Sequence, residues 1–490
     1  MAFNSISFMI FFPIVVMIYF LIPQRIKYIW LLIASYYFYM GWNPSYAILI
    51  AVSTVITYAS GFLIEKAKTV RAKKAFVAMS FSSNLLILVY FKYFDFILEN
   101  LNRILSRFGV GILEKPFDVL LPVGISFYTF QALSYTMDVY RGEIKCERNI
   151  LKYALFVSFF PQLVAGPIER SKNLLSQISE KHHFNADRVL KGLLLMAWGL
   201  FMKMVLADRL AVIVDEVFNG FPNYPGTYII IAAVFFALQI YCDFGSYSYI
   251  AIGAANVMGF SLMQNFRQPY LAVSVKDFWR RWHISLTSWF RDYLYIPLGG
   301  NRKGVFRRNI NVLIVFAVSG LWHGASWSFV MWGLLNGIFQ VAGDIFAPLK
   351  SKVNKCLQMK PDSFSHKILQ IAVTFCLVDF AWLFFRADSL STAINMIKSM
   401  LSVHNPWILF DGSMYNLGLN LPEFNVLLIG LLILLFADIV NEKGIEIREF
   451  VLKQELWFRW CFYLLAIFAI VIFGIYGPLC SASDFIYFQF

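Results

Sequence analysis

The chain has 490 residues, of which 59% are apolar and only 14% charged, where a soluble domain carries about a quarter charged residues. Aromatic residues reach 18%, with 51 Phe, and the apolar residues fall in long runs, which excludes an ordinary water-soluble fold and predicts an all-helical, multi-spanning membrane protein. The net charge of +13 does not point to nucleic acid: the basic residues sit in short loops between apolar segments, the pattern of cytoplasmic loops facing anionic lipid headgroups.

In chain order, the run Ser7–Leu21 has no basic region before it and no small-residue cleavage site after it. It reads as a retained first span. Spans are predicted near 7–23, 28–41, 45–64 and 75–93. The first connecting loop carries Arg25 and Lys27, and the third carries Lys66, Lys68, Arg71, Lys73 and Lys74. The loop between them, Gly41-Trp42-Asn43-Pro44, has no charge. This alternation predicts an extracytoplasmic N-terminus and cytoplasmic basic loops. Residues 92–118 balance Lys92, Arg103, Arg107 and Lys115 against Asp95, Glu99, Glu114 and Asp118, which fits an external face.

Further apolar helices are predicted near 119–137, 150–165, 188–207, 227–242, 248–262, 309–321, 325–345, 368–386, 424–440 and 456–478. Several are short or broken by Gly and Pro. Such helices survive at membrane depth only where protein or a water-filled cavity surrounds them, so a bundle enclosing an internal pocket is expected. The polar stretches 169–191 and 348–367 are too short for a core of their own, which leaves one membrane-embedded domain, 1–490. No internal repeat is visible, which counts against a transporter built from two related halves. Six scattered cysteines without a C-x-x-C spacing predict neither disulfides nor a metal site.

The segment from Lys276 to Arg308 is too charged to span: eight basic residues oppose two Asp. Phe278, Trp282, Leu286, Trp289 and Tyr293 recur at helical spacing. This predicts one amphipathic helix at the interface on the cytoplasmic side, with Trp at headgroup level, ended by Pro297 and Gly299-Gly300.

Six histidines occur. His182, His183, His366 and His404 lie in polar loops and read as solvated surface residues. His283 lies on the amphipathic helix, where a headgroup-facing role competes with a chemical one. His323 stands in an apolar setting, Ser319-Gly320-Leu321-Trp322-His323-Gly324, and ionisable groups at membrane depth usually face a bundle interior. A partly desolvated histidine is neutral near pH 7 and accepts a proton from a hydroxyl attacking an acyl thioester. Trp322 and Trp327 are placed to keep water from the thioester, and Gly320 and Gly324 to let substrate or backbone approach. The competing reading is that His323 bonds a neighbouring helix and serves packing. Arg280, Arg281 and Arg291 are candidates to hold the phosphates of coenzyme A, with Trp279 and Trp282 on the same element, while lipid contact is the alternative. Asp243 is placed either to orient an imidazole or to sit in a buried ion pair. Glu169 is a second isolated acid, and Ser285 and Asn336 are further polar candidates.

These residues together resemble the membrane-bound O-acyltransferase family, in its bacterial alginate O-acetyltransferase branch. The resemblance is carried by the run from Asp277 through Trp279, His283 and Ser285. It continues through Trp289-Phe290-Arg291-Asp292-Tyr293 to Pro297-Leu298-Gly299-Gly300, and then to Ser319–Gly324. Upstream, Leu121–Gln131 and Val164–Arg170 also match, as does the aromatic tail Phe485–Phe490. One stretch departs from the branch pattern D-F-S-G-Y-S-D. Here it reads Asp243-Phe244-Gly245-Ser246-Tyr247-Ser248-Tyr249, with Ser and Gly exchanged and Tyr249 in place of the second acid.

The resemblance implies a helical bundle pierced by a central tunnel. His323 corresponds to the family's essential histidine and His283 to the second of the pair. It further implies an acetyl group taken from cytoplasmic acetyl-CoA, a substrate rather than a tightly bound cofactor. The acetyl group passes to a hydroxyl outside the cytoplasm for exopolysaccharide O-acetylation, directly or through an exported acetyltransferase partner. The competing enzyme reading is D-alanyl transfer from a carrier-protein thioester to teichoic acid, and the non-enzymatic one is a transporter.

Overall fold

The computed structural model describes residues 1–109, 113–114, 121–360, 363–476 and 485–486. Every regular element among them is helical. Among the described residues, eight helices are long and apolar enough to cross a membrane. The number is nine if Trp327–Ile345 and Ala347–Cys356, bent by 54°, make one span. The described residues fall into two compact units, Met1–Met196 with Ile250–Met263, and Ala197–Tyr249 with Gln264–Phe490.

In the first unit the helix Tyr46–Lys66 shows how such a chain folds. Its inward face is mostly polar or small: Ser53, Thr54, Thr57, Ser60 and Gly61 are buried, between Ile50 and Ile64. Its outward face carries Ile48, Val52 and Val55, all exposed. Lipid is as apolar as leucine, so association rests on close packing and hydrogen bonds between helices. Ser53 donates to Asn84 Oδ1 at 2.6 Å, Tyr153 donates to Thr57 Oγ1 at 2.7 Å, and Ser80 and Thr136 lie 2.9 Å apart. Gly61 leaves room for the Tyr135 ring, which a Cβ would strike.

Glu169 is fully buried in this unit and accepts from Asn173 Nδ2 at 2.7 Å and from the Met263 N–H. Burial raises its carboxyl to about 7 against the hydrogen bonds it accepts. His182, expected at the surface, is instead buried against Phe260, with ring centroids 4.4 Å apart. His366, in the second unit, is also buried, with its Nε2 3.0 Å from Gln370.

Two further elements differ from expectation. The fourth span does not stop near 93: helix runs on through a wide turn at Val89–Tyr93 to Arg107. That last part is amphipathic, with Ile97, Leu101 and Ile104 exposed on a different face from Asp95, Glu99 and Arg103. The expected spans 227–242 and 248–262 are one helix, Thr227–Met258. The sequence marks a break there because Asp243, Ser246 and Ser248 interrupt the apolar run. The helix carries them because Asp243 is neutralised inside the second unit. Lys203 Nζ lies 2.7 Å from Asp243 and 3.0 Å from Asp208, all three buried. Lys203 sits in a wide-turn segment, Met202–Ala207, an irregularity frequent where a helix serves function.

Candidate active site

The expected single amphipathic helix is two short ones, Val275–Arg281 and Ile284–Phe290, followed by a wide turn, Arg291–Tyr295. The break falls at Trp282, which is extended, and His283, whose φ of 43° is left-handed. Few non-glycine residues adopt that conformation, and those that do cluster at functional sites. The break turns His283 inward. Its side chain is fully buried rather than facing headgroups, and burial pushes the imidazole down to about 3, so it is neutral at physiological pH. Trp279, Trp282 and Trp289 are buried in protein too, rather than exposed to headgroups.

His323 ends the helix Gly304–His323, and Ser326 caps the next, Trp327–Ile345. Glycine sets how closely these two pack. A Cβ on Gly320 would strike the Phe329 carbonyl, one on Gly324 the Phe329 ring, and one on Gly333 the Phe316 carbonyl. The expectation that Gly320 and Gly324 permit close approach thus holds for protein backbone and side chain.

The two histidines meet in an aromatic cage. Their ring centroids are 6.3 Å apart. Trp322 lies 6.0 Å from His283 and 4.9 Å from His323. Trp332 at 4.9 Å and Phe385 at 5.4 Å close the other sides of His323, and Phe244 at 4.6 Å closes His283. Trp382 stacks on Trp332 and also meets Trp282. Such a pair of imidazoles, shielded from bulk water, can move a proton and support a developing oxyanion.

The other candidates take distinct places. Trp279 donates to Asn336 at 3.2 Å, and Asn336 donates to the Trp332 carbonyl at 2.9 Å, so both brace the cage from behind. Ser285 donates to Asn265 at 2.6 Å. Arg281 is held by Asp277 at 3.0 Å and by Glu442 through two bonds of 2.7 and 3.0 Å. Arg280 is exposed, and Arg291 is exposed beside Asp292 at 2.9 Å. Asp243 faces Lys203 and the backbone N–H of Ile486, at 2.5 Å. It therefore sits in a buried ion pair rather than on an imidazole. Phe485 lies over Lys203 at 4.4 Å; the rest of the aromatic tail, 487–490, lies outside the described residues.

Sequence reasoning missed Lys203, Asp208, Asn265, Trp332, Trp382 and Phe385. Lys203 had a signal, a lone cation inside the apolar run 193–206. The aromatic residues had none, since 18% of the chain is aromatic.

Residues 147–387 match the model of the MBOAT, membrane-bound O-acyltransferase, family. The chain is 39% identical over 408 residues to a probable alginate O-acetylase of Pseudomonas putida, covering 82% of this chain and 80% of that protein. It is 33% identical over 437 residues to the peptidoglycan O-acetyltransferase of Helicobacter pylori, again 82% and 80%. With the teichoic acid D-alanyltransferase of Bacillus subtilis it shares 26% over 291 residues, 56% of this chain and 70% of that one. On these likenesses, the chain is an acyltransferase and belongs to the membrane-bound O-acyltransferase family.

Proposed function

We propose that the protein moves an acetyl group from cytoplasmic acetyl-CoA to a hydroxyl on the extracytoplasmic side, for O-acetylation of a cell-envelope or secreted polysaccharide. His323 takes the hydroxyl proton as the oxygen attacks the thioester carbonyl. The C–O bond forms, the C–S bond breaks, and the proton passes to the departing thiolate. His283, neutral, donates to the carbonyl oxygen as negative charge gathers there. The observation that carries this reading is the 6.3 Å approach of the two imidazoles inside the tryptophan cage.

The donor's phosphates are assigned to the exposed Arg280 and Arg291 with the basic residues that follow, Arg302, Lys303 and Arg307, also exposed. Arg281, engaged by two carboxylates, contributes to holding the helix. The membrane is the bacterial cell membrane, with the N-terminus outside. An exported acetyltransferase partner finishes the transfer where the polymer does not reach the site itself.

Two relatives named for O-acetyl transfer, each at least 33% identical over 82% of the chain, favour acetyl over D-alanyl, whose named relatives match only 54–56% of it. The test is His323→Ala, purified to confirm folding and expressed in its own host. Surface O-acetylation is expected to fall to background, and normal acetylation would sink the mechanism. Supplying acetyl-CoA or a D-alanyl carrier thioester to membranes separates the donors, since only the true donor releases its thiol.

A further inference from the structure

We infer that Asn265 is a positioning residue for His283, holding the left-handed turn that aims its imidazole at His323, with Ser285 and Ser248 as its anchors. The inference rests on the proposed role of His283 in the reacting centre.

A helix leaves its first backbone N–H groups without partners, and the residue just before it usually satisfies them with its own side chain. His283 occupies that position for Ile284–Phe290, yet its side chain makes no capping bond. Asn265, distant in sequence and 1% exposed, does the capping instead. Its backbone carbonyl accepts the Ile284 N–H at 3.0 Å. Its Oδ1 accepts the Ser285 hydroxyl at 2.6 Å and the Ser285 N–H at 3.4 Å. Its Nδ2 donates to Ser248 Oγ at 3.0 Å.

The consequence is geometric. An ordinary cap would turn its side chain back onto its own helix. With that duty moved to Asn265, the imidazole faces Phe244, Trp322 and His323. Ser248 lies one turn beyond Phe244 on Thr227–Met258, so the bonds tie the turn to the helix whose ring packs on His283. A left-handed histidine persists only where its surroundings over-determine it. Three of Asn265's four bonds do so here, through Ile284 N–H, Ser285 N–H and Ser285 Oγ.

The test uses the full chain in inverted membrane vesicles from its own host, matched for protein abundance. The readout is thiol release from acetyl-CoA above a His323→Ala background. Ser285→Ala and Asn265→Ala are expected to lower kcat at least tenfold with KM for acetyl-CoA within twofold. Ser285→Thr, which keeps the hydroxyl, stays within threefold of the parent. In a His283→Asn background, where asparagine tolerates the left-handed backbone, Ser285→Ala changes the residual rate less than twofold, because the clamp has nothing left to aim. A Ser285→Ala rate equal to the parent's, equal losses from Ala and Thr, or a tenfold loss persisting beside His283→Asn would each overturn the inference. If His283→Asn leaves no rate above background, the Ala–Thr comparison alone decides. A His283→Asn protein as fast as the parent instead defeats the role given to His283. Should Asn265→Ala fail to accumulate, Ser285→Ala carries the same comparison.

Discussion

Replacing Lys203 by methionine keeps the shape of the side chain and removes its charge from between two buried carboxylates. Lys203 Nζ is 2.7 Å from Asp243 and 3.0 Å from Asp208, and the three side chains are 0%, 3% and 2% exposed. At an effective dielectric of about 20 the two attractions are about 6 and about 5.5 kcal/mol. Against them stands the cost of desolvating each ion, several kcal/mol apiece, so breaking such a group by removing one partner costs about 3–5 kcal/mol net. Exposed ion pairs give no guide here, since solvent screens them. Lys203→Met is therefore expected to lower the thermal midpoint strongly in detergent-solubilised protein. Labelling of Cys242, buried one residue before Asp243, by a thiol-reactive dye reports the unfolding once the other five cysteines are replaced by serine. Adding Asp208→Asn and Asp243→Asn removes the orphaned charges and is expected to return most of the loss, because a neutral cluster of the same volume carries no unpaired ion. A Lys203→Met midpoint matching the parent, or a triple variant no better than the single one, refutes the argument that ion pairing is what lets Thr227–Met258 carry Asp243.

Two more outcomes follow from the structure. Glu169 is raised by burial to about 7 from 4.5, so the stability it contributes is full below the unfolded value and lost as pH rises through 7. The shift is worth about 3 kcal/mol. Midpoints measured from pH 5 to 8 should decline more steeply in the parent than in Glu169→Gln; equal slopes would show that Glu169 titrates normally. Gly333→Ala drives a methyl into the Phe316 carbonyl, and overpacking of this kind costs about 1–3 kcal/mol. Because the same crossing sets His323, transfer should fall in parallel with stability, while Gly343→Ala, with open space around the new methyl, should leave both unchanged.

Much of the molecule is legible in the residues alone. Apolar runs specify spans because lipid admits only backbone that bonds within its own segment. That is why helices such as Tyr46–Lys66 and Phe364–Arg386 lie within a few residues of where hydropathy puts them. His323 stands out for the same reason, as an ionisable group in apolar surroundings. The motif around His283 also identifies that residue, but its periodicity misleads. Phe278, Trp282, Leu286, Trp289 and Tyr293 keep helical spacing across a point where the chain is not helical.

What only the tertiary structure decided is where those residues point. Periodicity reports the local backbone, whereas the left-handed turn at His283 is held by Asn265, eighteen positions earlier, and no local signal encodes a cap supplied from outside the helix. The Lys203–Asp243 pair spans forty positions, so the sequence shows an acid that ought to break a helix and not the cation that lets it stay. The cage is the same case. Trp322, Trp332, Trp382 and Phe385 are four among many aromatic residues; glycines let the helices of Trp322 and Trp332 cross closely, and Phe364–Arg386 brings Trp382 and Phe385 to them. Hydropathy acts through composition and is readable in one dimension; the convergence of His283 and His323 depends on long-range bonds and packing, which exist only once the chain has folded.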